Sequence, residues 1–168
     1  MSQLFVNTLR DSPSEVATPG LQLLIRAGYV RQMAPGNFAF LPLGVRVRNK
    51  LSALVRGGMQ ALVGQEVAFS PLLHTDPLQA VLGLVEGVVQ SYRQFPVALF
   101  QISPIPASEG HSRRGLFGGN EALVLDGYSF HAHQADLNDF YVSVQMAFAR
   151  IVEECHLDVI TVVGQEDE

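Results

Sequence analysis

Between Phe100 and His131 the chain reads FQISPIPASEGHSRRGLFGGNEALVLDGYSFH. Two apolar runs with β-branched and aromatic members, Val97 to Ile102 and Ala122 to Phe130, flank a loop rich in Pro, Ser and Gly. Such side chains fit a pleated surface, and a connection of this composition lets the chain reverse, so the stretch predicts two paired strands joined by a long loop. Gly115, Gly118 and Gly119 lack the pattern of a Walker-type phosphate cradle and read as loop residues.

Outward from this pair, the periodicity changes to that of helices. Leu23, Leu24, Ala27 and Val30 recur at helical spacing over Leu21 to Arg31, with Pro19 and Gly20 as the entry and Gly28 weakening the end. A brief alternation over Asn37 to Leu41 is broken by Pro42 and Gly44. Val47, Leu51, Leu54, Val55, Met59 and Leu62 then form one stripe of an amphipathic helix that stops at Gly64. Val67 to Leu73 reads as a strand. Pro77 suits a first helical turn, and Leu78, Val81, Leu82, Val85 and Val89 continue a helix toward Ser91. The strongest helical stripe is Leu137, Phe140, Tyr141, Val144, Phe148, Ile151, Val152 and Cys155; Asp158 to Val163 follows as a strand. The mixture predicts an α+β fold, an antiparallel sheet with helices on one face.

The bulk composition narrows the function. With 168 residues, 48% of them hydrophobic, the chain is long enough for one domain over 1–164, followed by an acidic tail over 165–168. A formal charge of -5 and a single lysine, Lys50, argue against an electrostatic grip on tRNA, because phosphate contacts need clustered Lys and Arg. The lone Cys155 precludes a disulfide framework, and its place on the apolar stripe makes it a buried structural thiol rather than a nucleophile. The start MSQLFVNTLR lacks the apolar core of a secretory signal, and no apolar run approaches a membrane span, so a cytoplasmic protein is expected. His131 and His133 have the spacing of residues on one face of a strand, but no further ligand completes a set, and no metal is expected.

Several strings resemble class II prolyl-tRNA synthetases. In that family's second motif a strand ends in Phe-Arg-Asp-Glu, and the next carries Arg-Ser-Arg-Glu-Phe and then Lys-Asp-Ala-Tyr-Ser-Phe-His. Aligned without a gap, this chain keeps Gln101, Ile102, Glu109, Arg113, Gly115, Glu121, Leu123, Asp126 and the run Tyr128, Ser129, Phe130, His131. The family's LRAG string followed by two apolar residues and Arg is matched by Ile25, Arg26, Ala27, Gly28, Tyr29, Val30 and Arg31, and its LPTGVRV by Leu41 to Val47. The resemblance covers Ser2 to about Val159, with roughly thirty family residues lacking a counterpart around His74. It implies a class II synthetase-like sheet flanked by helices, with Pro71 of the first motif at a dimer interface.

The same resemblance implies that the chemistry is lost. Amino-acid activation brings a carboxylate against the α-phosphorus of ATP, and the planar, permanently charged arginine fork is the group suited to hold the charge that builds there. Where the family places its first such arginine this chain has Ala107; Gly118, Gly119 and Asn120 stand for Arg-Ser-Arg, and Leu125 for the lysine. Loss of one preorganised contact costs on the order of 3 kcal/mol, and loss of several abolishes activation. The family's Thr-x-Glu loop falls near Thr75, Asp76, Pro77 and Leu78, with no glutamate two residues beyond Thr75. No catalytic residue is therefore assigned. Glu109 and Glu121 match positions around the family's adenine and amino-acid pocket; the competing reading is a solvated loop acid and a structural partner in the hairpin. Arg113 and Arg114 match the loop that approaches the acceptor stem, or are simply solvated.

Three functions remain open. One is an inactive paralogue working through protein contacts, as a homodimer or with a full-length prolyl-tRNA synthetase. Another is a sensor for proline, a nucleotide or an adenylate. The last is a residual amino-acid-activating ligase, the only case in which ATP and Mg are expected as cofactors.

Overall fold

The fold was obtained as a computed structural model, which describes residues 4–11, 16, 18–69, 76–106, 116 and 119–162. Its elements run α1 (Pro19–Arg26), β1 (Val30–Ala34), β2 (Asn37–Phe40), α2 (Pro42–Ala61), β3 (Gln65–Glu66), α3 (Pro77–Val88), β4 (Val97–Pro106), β5 (Glu121–Phe130) and α4 (Gln134–Glu154). They group into two compact units, one of Met1–Ala53 with Gln101–Asp126, the other of Leu54–Phe100 with Gly127–Glu168.

In the first unit, Leu21 and Ile25 of α1 lie one turn apart and are buried with Val16 and Val30, while Leu9, Leu24, Tyr29, Phe38 and Leu116 pack around them. The helix ends earlier than its periodicity predicts. Gly28 takes a φ of 74°, a left-handed conformation that terminates helices, and Tyr29 N donates to Leu24 O, so Val30 and Arg31 enter β1 instead. Arg31 fastens this junction: its guanidinium donates to Ile25 O at 2.6 Å and to the carbonyl of Asn7. Antiparallel pairing of β1 with β2 sets Val30 opposite Phe40 and Arg31 opposite Ala39. Pro42 and Gly44 follow the end of β2, where the alternation was expected to break, and lie in the first turn of α2.

The second unit is built on Val81, Val85 and Leu99, with Val67, Phe69, Val89, Val97, Tyr128 and Phe130 against them. Val81 and Val85 share one face of α3, whose start is capped by Asp76 accepting from Leu78 N at 3.0 Å. The strand expected over Val67 to Leu73 does not form over 67–69, which are irregular and follow the two-residue β3; 70–73 lie outside the described residues, and Val67 N donates to Phe100 O at 2.8 Å. In the sheet, ordered β3-β4-β5, Gln65 faces Leu99 and Glu66 faces Phe100 in parallel register. The β3–β4 pair departs from the antiparallel sheet expected: α3 intervenes between the two strands, and a helical crossover returns the chain in the same direction. The α+β class stands.

Arg56 and Glu66 form a forked ion pair at 2.6 and 2.8 Å. The hydrogen bond from Arg56 holds the Glu66 carboxyl below its usual range, so this pair contributes above the unfolded value and is lost as pH falls through the depressed one. Both side chains are about one-third exposed, and solvent screening keeps the contribution small.

Helix α4 buries no residue fully. Phe140, Val144, Ala147 and Ile151 are half-buried, whereas Leu137, Tyr141 and Phe148 of the same stripe are exposed, so only one flank of the predicted apolar face is covered. Cys155 is half-buried just past the helix end. Nor does Asp158 to Val163 form the expected strand: 158–162 are irregular and Val163 lies outside the described residues.

Candidate functional site

The residues singled out by sequence centre on the β4–β5 hairpin. Glu109, Arg113, Arg114 and Pro71, together with Ala107 and Gly118, fall outside the described residues. What is described belongs to the first unit: Gln101 on β4, Asp126 and Glu121 on β5, and Asn120 just before β5.

Gln101 is buried, and its Nε2 donates to Asp126 Oδ2 at 3.2 Å. Both occupy positions that the resemblance retains. A buried amide needs a partner, since an unsatisfied buried polar group costs about 1–3 kcal/mol. Replacing Asp126 by alanine is therefore expected to lower stability by about 1–3 kcal/mol, whereas Asp126→Asn keeps an acceptor for the amide and loses less. Urea denaturation of both variants checks this.

Asn120 is the second residue drawn into the structure. Its backbone N donates to Gly36 O at 2.8 Å, and its Nδ2 donates to Asn37 Oδ1 at 3.0 Å and to Pro35 O at 3.4 Å. The residue in place of the family's second Arg-Ser-Arg arginine thus fastens the β1–β2 turn to the start of β5. Glu121 follows as the first residue of β5; it is exposed, and its carboxylate makes no hydrogen bond or ion pair among the described residues. Among the described residues, the hairpin therefore presents the unpaired carboxylate of Glu121, the Asp126 carboxylate held by the Gln101 amide, and the Asn120 amide committed to a turn. The sequence signals a turn at Pro35-Gly36-Asn37, but nothing in it signals a partner 83 residues away.

In the second unit, the ring of His131 tilts against Phe140 at a centroid distance of 5.1 Å, and both its nitrogens are buried without a hydrogen-bond partner among the described residues. His133 is exposed at the N-terminal boundary of α4 without capping it. Among the described residues no three His, Cys, Asp or Glu side chains converge as a metal site, and no helix is long and apolar enough to cross a membrane.

The strings retained on this α+β framework resemble those of an aminoacyl-tRNA synthetase-like chain. No family model matches it. Pairwise comparison is more specific. The chain is 33% identical to the proline-tRNA ligase of Cutibacterium acnes over 189 residues, which cover 94% of this chain and 32% of that protein. It is 35% identical to that of Clavibacter sepedonicus over 195 residues, covering 98% and 33%, and 36% identical to that of Mycobacterium avium over 182 residues, covering 90% and 31%. The chain belongs with the prolyl-tRNA ligases as a partial, diverged relative, spanning about one-third of the length of the curated relatives it matches. A 195-residue alignment that uses 98% of 168 residues leaves about thirty positions of the relative without a counterpart, the size of gap that the motif alignment requires.

Proposed function

We propose that this synthetase-like chain does not activate an amino acid and acts through association, with a second copy of itself or with a full-length prolyl-tRNA ligase in the cytoplasm. The observation that carries this reading is Asn120. Where the resemblance calls for a charged phosphate-binding fork, a neutral amide spends its donors on Pro35 and Asn37, so it has no charge to offer developing anionic oxygens. Leu125 in place of the lysine supports the same conclusion, and the composition, with one lysine and net negative charge, supports protein rather than tRNA as the partner.

A sensor of proline, a nucleotide or an adenylate is the second reading, favoured by the intact Gln101–Asp126 pair and the free Glu121 carboxylate. Binding needs neither the lost charge nor Mg; ATP with Mg belongs only to a residual ligase. Proline-dependent exchange of pyrophosphate into ATP at high protein concentration separates catalysis from both readings, and the expected result is none. A thermal scan with ATP, proline and a non-hydrolysable prolyl-adenylate analogue then separates the two. Ligand at 100 times its dissociation constant stabilises by about 2.7 kcal/mol, so a shift of several degrees selects the sensor and no shift selects association.

A further inference from the structure

The net charge of -5 is not spread evenly over the chain. The first unit carries eight Lys and Arg against five Asp and Glu; the second carries three against eleven. On α2 of the first unit, Arg46, Arg48 and Lys50 occupy every second position, and none of the helix's 20 residues is acidic. A helix start favours acids, because its peptide dipoles leave partial positive charge there, and like charges four residues apart repel. The first turn of α2 holds no acid, and Arg46 and Lys50 have that repelling spacing. Both features are unfavourable for the helix by itself.

The described residues do not offset these charges. The guanidinium of Arg48 lies 5.3 Å from the ring centroid of Phe40, and the ion pair that α2 makes among the described residues is that of Arg56 with Glu66. Arg46 and Lys50 are exposed, with no ion pair or side-chain hydrogen bond among the described residues. Residues four apart lie on one stripe of a helix, and the stripe next to Arg46 and Lys50 is Val47 and Leu51, each 46% exposed. The face from Arg46 to Leu51, all of it within the first unit, thus sets a basic row beside an apolar row of the same spacing.

We infer that the Arg46–Leu51 face of α2 docks an acidic amphipathic helix of a partner protein, with carboxylates one turn apart against Arg46 and Lys50 and an apolar row against Val47 and Leu51. This rests on the association reading and specifies the chemistry of the partner. A nucleic-acid backbone matches only half of the surface: it supplies phosphates but nothing apolar to cover Val47 and Leu51, and two cations release few counterions. A helix matches both rows, because its own side chains recur at the same spacing. The charges steer the encounter and fix the register, while the apolar row supplies the burial.

The test is an NMR titration of the full chain with an alanine-based helical peptide that bears glutamates four residues apart beside a row of leucines. Shifts of the backbone amides at 46–51 are expected, with binding weakened by salt and about tenfold weaker when glutamine replaces the glutamates. Arg46→Glu combined with Lys50→Glu is expected to weaken the glutamate peptide about tenfold and to gain affinity for a peptide with lysines in their place. Because both side chains are exposed, the melting temperature of that variant stays unchanged. Leu51→Gln is expected to weaken both pairings. Absence of shifts at 46–51 with about 1 mM peptide overturns the inference; so does equal binding of the glutamate and glutamine peptides, or a double variant that gains nothing from the lysine peptide. Tighter binding of an oligouridylate, lost in the double variant, assigns the face to phosphate and overturns it as well. A dimer in light scattering that the double variant dissociates means that a second copy covers the face, which overturns the choice of partner and leaves association standing. None of these outcomes alters pyrophosphate exchange, which tests the loss of activation separately.

Discussion

Replacing Phe100 by alanine is expected to cost about 3–5 kcal/mol, the usual penalty for removing a large buried aromatic side chain and leaving a cavity. Phe100 is fully buried, at the second unit's end of β4. Its carbonyl accepts from Val67 N, its residue pairs with Glu66, and its ring lies so near Gly64 that a Cβ there would stand 3.2 Å from Cδ1. The side chain therefore fills the space where the end of α2, β3 and β4 meet, and no neighbour can collapse into it without breaking strand register. Against the typical 5–15 kcal/mol of a domain, the loss removes a large share of total stability. Denaturant unfolding measures it; a cost below about 1 kcal/mol would show that Phe100 does not occupy the packed position described.

Gly44→Ala gives the second large effect, for a steric reason. A Cβ on Gly44 would stand 2.2 Å from the backbone oxygen of Tyr29 and 3.3 Å from Phe40 Cδ1. Tyr29 cannot yield easily, because its carbonyl accepts from Leu41 N and its own N donates to Leu24 O. Overpacking typically costs 1–3 kcal/mol, and with backbone as the obstacle the expected loss is about 3 kcal/mol, despite the gain in helix propensity that alanine ordinarily brings. At about 2–4 °C per kcal/mol for a chain of this size, the melting temperature falls by roughly 6–12 °C. An unchanged or raised melting temperature would mean that α2 does not pack against Tyr29. Gly44 is part of the Leu41–Val47 string shared with the family, and this contact supplies a reason for it that is independent of catalysis.

The central elements were legible because their cues are local. Pro77 announces the start of α3, the runs flanking the Pro- and Gly-rich loop announce β4 and β5, and the spacing from Leu137 to Cys155 announces α4. Departures occur where a neighbour decides. The α1 periodicity runs on through Val30, yet Gly28 turns the chain and β2 claims Val30 and Arg31 as strand partners. Val67 to Leu73 has strand-like composition, but among the described residues it is Gln65 and Glu66, just before that span, that pair as strand with β4. At the candidate site, the motif positions of Asp126 and Asn120 could be read from the chain. Their partners could not, because Gln101 is 25 residues from Asp126 and the β1–β2 turn is more than eighty from Asn120.

By itself the sequence determined the α+β class, the order of the main elements, the relationship to prolyl-tRNA ligases and the substitution of the family's charged positions by Ala107, Gly118, Asn120 and Leu125. Those properties reside in residue identity and short-range periodicity. The tertiary structure alone decided that β3 runs parallel to β4, that the apolar stripe of α4 is covered on one flank, that Asn120 is committed to a turn, and that 158–162 are irregular rather than strand. Each of these depends on which distant backbone groups and surfaces meet, and that choice is made by the competition to bury apolar area and satisfy hydrogen bonds across the folded chain.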